Sequence, residues 1–385
     1  MNFKLITGVL SLMLCFTAIA FGQKTSGNIE GVVTDANGAV VAGATVTAKS
    51  TGTTAGYNQS TTTNSDGFYQ FSQVPVGTYI VSTTNSGFKT TNTSVTVSID
   101  KAAVVNTQLE VGAGDVTVMV TSDASTTLDM GDTKIDTSIT KRVIEDLPKG
   151  NGFSSLLKIA PNVRPEPLAA GFQIDGASGA ENVFNIDGQE VTNFRTGQLN
   201  TANNVNFAIV QEVQIKSTGY EAENGGATGG IIQVVTGGGN DSWRGNFGIS
   251  FSPQKFNGEP NVILTRFSST GTSTNTPGNS YYFQPRKDGG TQYTPVGSIS
   301  GPIIKEKLWF SATYAPTVSE FSRRIDYYGN SVAGNSLSNP NGRFVRETVD
   351  YSLKQTNQQA LVRLDAQPTS KLRAFGTFLW NPVEV

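Results

Sequence analysis

Two acidic turn motifs are the first place where this sequence could carry chemistry. Gln173-Ile174-Asp175-Gly176 and Asn185-Ile186-Asp187-Gly188 repeat twelve residues apart, and Glu190 follows the second. Three carboxylates could bind a divalent cation, and two could act as a general acid and base. Their spacing matches no EF-hand loop, whereas Asp-Gly pairs after strand residues are typical of tight turns. The pattern therefore favours two turns over a metal or catalytic site.

The composition excludes most other enzyme chemistry. The chain has no histidine, and its one cysteine, Cys15, lies in an N-terminal apolar run. Without histidine there is no Ser-His-Asp or Cys-His system, and none of the usual zinc sites that contain histidine. The 28 Lys+Arg against 30 Asp+Glu also lack the basic excess of a nucleic-acid binder. We therefore expect no enzyme activity, no cofactor, no metal and no nucleic-acid partner.

The N-terminal segment has the pattern of a secretory signal peptide. Lys4 supplies a positive charge, Leu5–Ala20 is apolar, and Ala20-Phe21-Gly22 is a cleavage site of the small-x-small type. We expect residues 1–22 to be removed, which leaves Gln23 as the new N-terminus. The alternative is a membrane anchor, but the run is short for a spanning helix. No other run approaches that length, so any further membrane crossing would use a β-barrel.

The next segment, up to residue 112, alternates short β-rich runs with turn signals such as Asn37-Gly38 and Asp66-Gly67. Seven strands at this spacing predict a small β-sandwich. The expected strands are Asn28–Thr34, Ala44–Lys49, Ser60–Asn64, Phe68–Val74, Thr78–Thr84, Asn92–Ile99 and Val104–Glu110. The expected core residues are Val46, Tyr69, Phe71, Tyr79, Ile80 and Val81.

Six stretches of this segment match a known domain in order. They are Gly31–Asp35, Asn37-Gly38, Gly43–Val46, Thr63–Phe71, Val76–Val81 and Ser86–Phe88. They resemble the carboxypeptidase regulatory-like domain, a transthyretin-like sandwich. That domain accompanies a zinc peptidase in some proteins without carrying its metal ligands, so the resemblance implies no peptidase activity. Similar folds can bind carbohydrate, but Tyr69 and Tyr79 are better explained as buried packing residues.

Residues 113–127 form a linker with one strand-like run. The run consists of Asp115, Val116, Thr117, Val118, Met119, Val120 and Thr121. A lone strand in a flexible segment is a natural donor for strand addition to a partner. The run could also be an eighth strand of the sandwich or the first strand of the following domain.

The segment 128–240 combines two expected short helices, Thr140–Leu147 and Phe153–Ala160, with strands and glycine-rich turns. Its motifs are Ile144–Pro148, Leu156–Val163, the two Ile-Asp-Gly turns, Val213–Ile215, Tyr220–Gly226 and Gly229–Thr236. They resemble the plug domain of TonB-dependent outer-membrane receptors of the Oar-like branch, in which a regulatory-like domain often precedes the plug. Thr236–Asn240 departs from that family in a connecting turn. The resemblance implies that Asp115–Thr121 is the TonB box, which adds as a strand to a TonB-type inner-membrane protein.

Residues 241–385 alternate like the strands of an outer-membrane barrel. In Trp243–Ser252 and Gln359–Gln367, apolar and polar residues take opposite faces, and Leu372–Trp380 returns after a short turn. Strands of about ten residues are long enough to cross a bilayer. A soluble β-sandwich also alternates and is the alternative. Outward aromatics near strand ends favour the membrane barrel over the sandwich, because they can act as interfacial anchors; they are Trp243, Trp309 and Trp380.

Short and long connections alternate in the same part of the chain. Gly301–Lys307 joins the expected strands Thr291–Ser300 and Leu308–Val318 and resembles a turn of the same receptors. The polar stretches Pro253–Gly290 and Ser319–Lys354 are expected loops. The aromatics that could stack on a ligand are Tyr281, Tyr282, Tyr327 and Tyr328, with barrel girdle residues as the alternative.

These patterns predict a mainly β chain. We expect a seven-stranded β-sandwich at 23–112, an α+β plug domain at 128–240 and the first strands of an incomplete outer-membrane β-barrel at 241–385. Plugged transporter barrels have about 22 strands, so we expect an N-terminal fragment of a longer receptor. The ending Asn381–Val385, which lacks a terminal aromatic, agrees with this expectation.

The resemblance implies a function for this architecture. The chain would lie in the outer membrane in contact with lipid, with its N-terminal domain in the periplasm. It would capture an unknown extracellular ligand, such as a carbohydrate or peptide, for energised uptake with a TonB-type partner. The alternative is a secreted carbohydrate-binding or adhesion protein without transport activity.

Overall fold

The computed structural model describes residues 25–51, 56–112, 115–122, 135–147, 150, 152–166, 171–220, 226–266, 280–330, 343–369 and 372–384. The predicted cleavage position at Gly22 and Gln23 lies outside these residues. The chain is mainly β and has two units. Unit 1 comprises Met1–Gly245, Ile299–Thr313 and Leu361–Phe378, and unit 2 comprises Asn246–Ser298, Tyr314–Ala360 and Leu379–Val385.

The N-terminal part of unit 1 is a β-sandwich. Its described strands are β1 Ser26–Asp35, β2 Thr45–Ser50, β3 Asn58–Thr62, β4 Phe68–Pro75, β5 Gly77–Thr84, β6 Thr90–Val97, β7 Ala102–Val104, β8 Thr107–Leu109 and β9 Asp115–Ser122. One sheet has the order β4-β1-β7, with β8 also paired to β1, and the other has the order β3-β2-β5-β6-β9.

The sandwich core follows from the two-residue period of its strands. Five of the six expected core residues, Val46, Tyr69, Phe71, Tyr79 and Val81, are buried, as predicted. The prediction for the sixth, Ile80, is wrong. Its side chain is 38% exposed because its neighbours on β5 both point inward, and successive strand residues face opposite sides of a sheet.

The expected last strand of the sandwich, Val104–Glu110, is divided into β7 and β8. The break lies at Val105, whose N–H donates to the carbonyl of Glu30 at 2.7 Å. The Val105 carbonyl accepts a hydrogen bond from the Tyr69 hydroxyl at 2.8 Å. Because the Val105 carbonyl binds a side chain instead of a neighbouring strand, the strand is interrupted there, and β7 and β8 each pair in parallel with β1.

A five-stranded sheet in unit 1 follows the sandwich, in the order β10-β17-β18-β13-β14. Its segment contains β10 Ile135–Thr140, β11 Val163–Pro165, β12 Phe172–Ile174, β13 Val183–Ile186, β14 Gln189–Glu190, β15 Thr192–Asn193, β16 Gln198–Leu199, β17 Val210–Thr218 and β18 Ile231–Thr236. The helical elements are α1 Lys141–Asp146 and the 3-10 helices Phe153–Ile159, Gly179–Glu181, Thr201–Asn203 and Phe207–Ile209. Helical structure is thus present at both predicted positions, although the second element is a 3-10 helix.

Both Asp-Gly pairs form tight turns, as predicted. Asp175 and Gly176 have φ angles of 50° and 85°, and Asp187 and Gly188 have φ angles of 50° and 84°. Two successive residues at positive φ are typical of type I′ turns. The second turn connects β13 to β14, and Ile186 of β13 pairs with Gln189 of β14.

The remaining described strands are β19 Arg244–Pro253, β20 Ile263–Arg266, β21 Ser280–Phe283, β22 Gly289–Ile304, β23 Leu308–Tyr314, β24 Thr317–Asn330, β25 Arg343–Asn357, β26 Ala360–Thr369, β27 Leu372–Trp380 and β28 Val383–Glu384. A 3-10 helix at Gln254–Phe256 follows β19. Within unit 1 the strand order is β27-β26-β23-β22. The predicted short turn connects β22 to β23, with the Lys307 N–H donating to the Ile304 carbonyl at 3.1 Å.

Strands β23 to β25 correct two expectations. The stretch Ser319–Lys354 is not a loop, because most of it belongs to β24 and β25, which pair with each other over their length. The sequence did not reveal these strands because both are rich in charged residues. Arg324 forms an ion pair with Asp350 on the neighbouring strand at 2.6 Å. The predicted strand Leu308–Val318 is two strands, with Pro316, which lacks an N–H, at the break.

None of the helices in the described part of the chain combines the length and the apolar character needed to cross a membrane.

Candidate functional site

Strand β26 in unit 1 exposes apolar side chains and buries charged ones, the reverse of a soluble protein, although Leu361 is also on the buried face. Val362 and Leu364 are 43% and 46% exposed, whereas the alternate side chains of Arg363 and Asp365 are buried. A charged pair is almost never buried unless it is hydrogen-bonded, and apolar side chains normally take the covered face. The predicted alternation of Gln359–Gln367 is therefore present, with the apolar face outward.

The buried face of β26 contacts the second Asp-Gly turn. We call the group formed there the Asp187 cluster, and its members are Asp187, Thr236, Arg363, Asp365 and Thr377. Arg363 binds Asp365 through two hydrogen bonds, Nη2 to Oδ1 at 3.0 Å and Nε to Oδ2 at 3.1 Å. Its Nη1 lies 3.3 Å from Asp187 Oδ1 and donates to the Thr236 carbonyl at 3.1 Å.

Asp187 is the acceptor at the centre of this cluster. Its Oδ1 accepts the Thr236 N–H at 2.9 Å, and its Oδ2 accepts the Thr236 hydroxyl at 2.6 Å. The Thr377 hydroxyl of β27 donates to the same Oδ2 at 2.9 Å. One carboxylate thus joins the turn after β13, the end of β18 and two later strands. Charge-assisted hydrogen bonds of this kind are stronger than neutral ones.

A second polar contact joins the sandwich to strand β17. We call the side chains of Glu212, Gln214 and Lys216 the docking row; they alternate along β17 and all are buried. Lys216 Nζ lies 2.9 Å from Asp100 Oδ2. Gln214 Nε2 donates to the Ile99 carbonyl at 3.0 Å. These partners directly follow β6, so the docking row holds the end of that strand.

Glu212 is the third member of the docking row. Its Oε1 accepts the Ile99 N–H at 3.3 Å. Burial raises the pKa of the Glu212 carboxyl from 4.5 to about 7, because desolvation outweighs the hydrogen bond from Ile99 and the attraction of Lys101, which favour the charged form. Lys101 itself pairs with Asp136 of β10 at 2.9 Å. The row therefore contains a carboxyl whose charge changes near neutral pH.

The candidate TonB box forms a strand. Asp115, Val116, Thr117, Val118, Met119, Val120 and Thr121 all lie in β9. β9 pairs in parallel with β6, with Thr90 opposite Asp115 and Thr93 opposite Val118. This is the arrangement of an additional sandwich strand, which the sequence left open beside strand donation. A parallel pair needs a crossover connection, and here β7 and β8 of the other sheet supply it.

The four candidate ligand-contacting aromatics lie in two hairpins of unit 2. Tyr281 and Tyr282 belong to β21, where Tyr282 pairs with Leu264 of β20 and is exposed. Tyr327 and Tyr328 belong to β24. The Tyr327 hydroxyl lies 2.7 Å from the hydroxyl of Tyr351 on β25. The sequence did not single out this tyrosine pair, because the two residues are on strands that it assigned to a loop.

The prediction of outward-facing, interfacial tryptophans is wrong for one of the three. Trp243 and Trp380 are exposed, but Trp309 is fully buried. Its indole N–H donates to Asp241 Oδ1 at 2.7 Å, and the same oxygen accepts the Glu306 N–H at 2.9 Å. Trp309 shares the inward face of β23 with Ser311, which is also buried. A polar partner for the indole therefore turns the ring away from the exposed face.

The structure also bears on the three acidic residues near the Asp-Gly turns. In the described residues, no group of three or more His, Cys, Asp or Glu side chains is arranged to hold a metal ion. The carboxylate of Asp187 instead accepts hydrogen bonds from the hydroxyls of Thr236 and Thr377. Sequence spacing identified the turn correctly but contained no signal that Asp187 meets residues more than a hundred positions later.

Residues 28–110 match the carboxypeptidase regulatory-like domain family. The chain is also similar to the TonB-dependent transporter Oar of Myxococcus xanthus, with 28% identity over 352 residues, covering 84% of this chain and 30% of that protein. The chain thus spans about a third of the length of this relative.

Two solved structures show a partial similarity to this chain. The outer membrane transporter YddB from Escherichia coli is 19% identical, with a TM-score of 0.42, over 61% of this chain and 31% of that chain. The siderophore receptor PirA from Acinetobacter baumannii is 17% identical, with a TM-score of 0.42, over 64% of this chain and 32% of that chain.

The N-terminal sandwich is therefore a carboxypeptidase regulatory-like domain, as its motifs predicted. Over most of its length the chain is similar to a TonB-dependent transporter, and the predicted resemblance is confirmed. That transporter is Oar, and the plug motifs had indicated the Oar-like branch.

Proposed function

We propose that this chain is the N-terminal part of a TonB-dependent outer-membrane receptor that captures an extracellular ligand for energised uptake. The observation that carries the proposal is the reversed strand β26. Its exposed Val362 and Leu364 suit lipid, and its buried Arg363 and Asp365 bind the Asp187 turn. In a plugged barrel, apolar side chains face the bilayer and polar side chains face the interior.

The similarity to Oar supports a division of the chain. We assign 1–22 to a signal peptide, 23–112 to the periplasmic regulatory-like sandwich, 113–127 to the linker with the TonB box, 128–240 to the plug and 241–385 to the start of the barrel. The Asp187 cluster is then a contact between plug and barrel. The docking row is a contact between sandwich and plug.

The arrangement suggests how uptake would work. Ligand would bind at the outer ends of the two hairpins that contain Tyr282 and Tyr327, where these side chains present aromatic surface. A TonB-type protein of the inner membrane would engage Asp115–Thr121 and pull. Movement of the plug would require the bonds between Asp187 and Arg363 to break, because these two residues lie on opposite sides of the contact.

Fractionation and deletion test the proposal together. We expect the native protein in outer-membrane pellets, and we expect deletion of Asp115–Thr121 to abolish binding to the periplasmic domain of the TonB-type partner. A protein recovered from the medium instead would support a secreted adhesion or carbohydrate-binding function. Undiminished partner binding after the deletion would show that the TonB box lies elsewhere.

A further inference from the structure

Strand β9 has one hydrogen-bonding edge available. It is the terminal strand of its sheet among the described strands, after β6. Each strand has two edges, and β6 uses one of those of β9. The other edge pairs with no strand in the described part of the chain. Such an edge presents backbone N–H and C=O groups that an added strand can bind.

The start of β9 is fixed to the sandwich. Immediately before it, the Lys89 N–H donates to the Glu110 carbonyl at 2.8 Å, and the Gly112 N–H donates to the Gly87 carbonyl at 3.1 Å. The side chains of Lys89 and Glu110 also form an ion pair at 3.0 Å. These bonds hold the chain against the segment that leads into β6, so β9 begins in place beside β6.

We propose that β9 takes up its inner-membrane partner while it is still seated on β6, so that a strand of the partner becomes the sixth strand of this sandwich sheet. The inference rests on the proposed function, because it takes Asp115–Thr121 as the TonB box. A segment that is already a strand loses less conformational entropy on binding than a disordered one. The free edge therefore favours addition over displacement of β9.

A seated β9 also gives a short route for a pull to reach the plug. The route runs from β9 to β6 through their parallel pairing. Strand β6 ends at Val97, and Ile99 and Asp100 directly after it bind Gln214 and Lys216 of the docking row. Strand β17, which carries the docking row, lies inside the five-stranded sheet of the plug segment. The sandwich would then transmit the force from the partner to the plug.

A disulfide between the two strands tests the proposal. Asn92 lies opposite Thr117 in the parallel register, and neighbouring strands are about 4.8 Å apart, which is within the Cα–Cα range of a disulfide. In the native protein carrying Asn92→Cys and Thr117→Cys, we expect the oxidised form to bind the purified periplasmic domain of the TonB-type partner within about threefold of the reduced form. A loss of more than about tenfold on oxidation, restored by reduction, would mean that β9 must leave β6 and would overturn the proposal.

A matched control isolates β9. Ile80 lies opposite Ser94 on the neighbouring strand pair, so Ile80→Cys with Ser94→Cys staples β5 to β6 without touching β9. We expect its oxidised form to bind like the unmodified protein. Binding that survives deletion of Asp115–Thr121 would sink the proposed TonB box. Binding that needs this segment but is lost in the oxidised N92C/T117C protein would sink only the seated strand.

Discussion

Lys216 and Asp100 form a buried ion pair between strand β17 and the loop after β6. Nζ and Oδ2 are 2.9 Å apart, and the two side chains are 3% and 7% exposed. Removing one partner of such a pair leaves an uncompensated buried charge, at a cost of about 3–5 kcal/mol. Loss of one partner should therefore cost far more than loss of one partner of an exposed pair.

Lys216→Met tests this contact. We expect a loss of about 3–5 kcal/mol in the free energy of unfolding, measured as a lower urea midpoint. Lys354→Met is the control, because Lys354 pairs with Glu320 at the surface of unit 2, where an ion pair contributes little. Equal, small effects of both substitutions would contradict the role of Lys216.

Glu212 should make stability depend on pH. Its pKa in the folded protein is about 7, above the ordinary value of 4.5 that applies when the chain is unfolded. Between these two pH values the unfolded chain releases a proton that the folded chain keeps, so stability falls as pH rises through this window. Across this window the free energy of unfolding should fall by about 3 kcal/mol.

Glu212→Gln should remove that dependence. We expect the variant to gain stability over the wild type at pH 8 but hardly at pH 5, in urea unfolding at both pH values. Glu110→Gln is the control, because Glu110 is exposed. A wild-type stability that rises between pH 5 and pH 7, with no change in slope on substitution, would contradict a buried Glu212.

Arg363→Met should weaken the Asp187 cluster. The substitution removes the cation that Asp187 and Asp365 share and leaves Asp365 only Arg373, at 3.6 Å. We expect a loss of about 3–5 kcal/mol, because buried Asp187 then has no cationic partner. The measurement is the urea midpoint of the native protein. Arg323→Met, which removes an exposed pair with Asp288, should change the midpoint very little. A midpoint that stays unchanged in the Arg363 variant would mean that the cluster does not hold the strand.

Leu364→Arg distinguishes a lipid-facing strand from a soluble one. On a lipid face, arginine costs up to about 2–4 kcal/mol, so less protein should assemble in the outer membrane. On the surface of a soluble protein, the same change should be nearly neutral. The amount of folded protein in outer-membrane pellets measures the effect, and Glu347→Arg on exposed β25 is the control.

Local patterns predicted the elements that local interactions determine. The two-residue period identified the sandwich strands and the apolar face of β26, and the Asp-Gly pairs identified both type I′ turns. The error at Ile80 has the same origin, because three consecutive apolar residues on β5 cannot all face the core. The period alone decides which of them is outside.

Contacts between distant residues could not be predicted. Nothing near Asp187 in the sequence shows that Arg363 will reach it, and nothing near Glu212 shows that Ile99 will cover it. Trp309 was misplaced for the same reason, because its partner Asp241 lies on a different segment. The hairpin of β24 and β25 was missed because cross-strand ion pairs, such as that of Arg324 with Asp350, replace an apolar face.

The position of β1 has a consequence for the order of assembly. The first strand of the sandwich is internal to its sheet, between β4 on one side and β7 and β8 on the other. It therefore cannot complete its pairing until the end of the domain has been synthesised, and such pairing between distant segments is slow. β9 follows all of these strands in the chain, so it can dock on β6 only after the rest of the sandwich has been synthesised. Under the proposal above, the partner would then bind only domains that have folded.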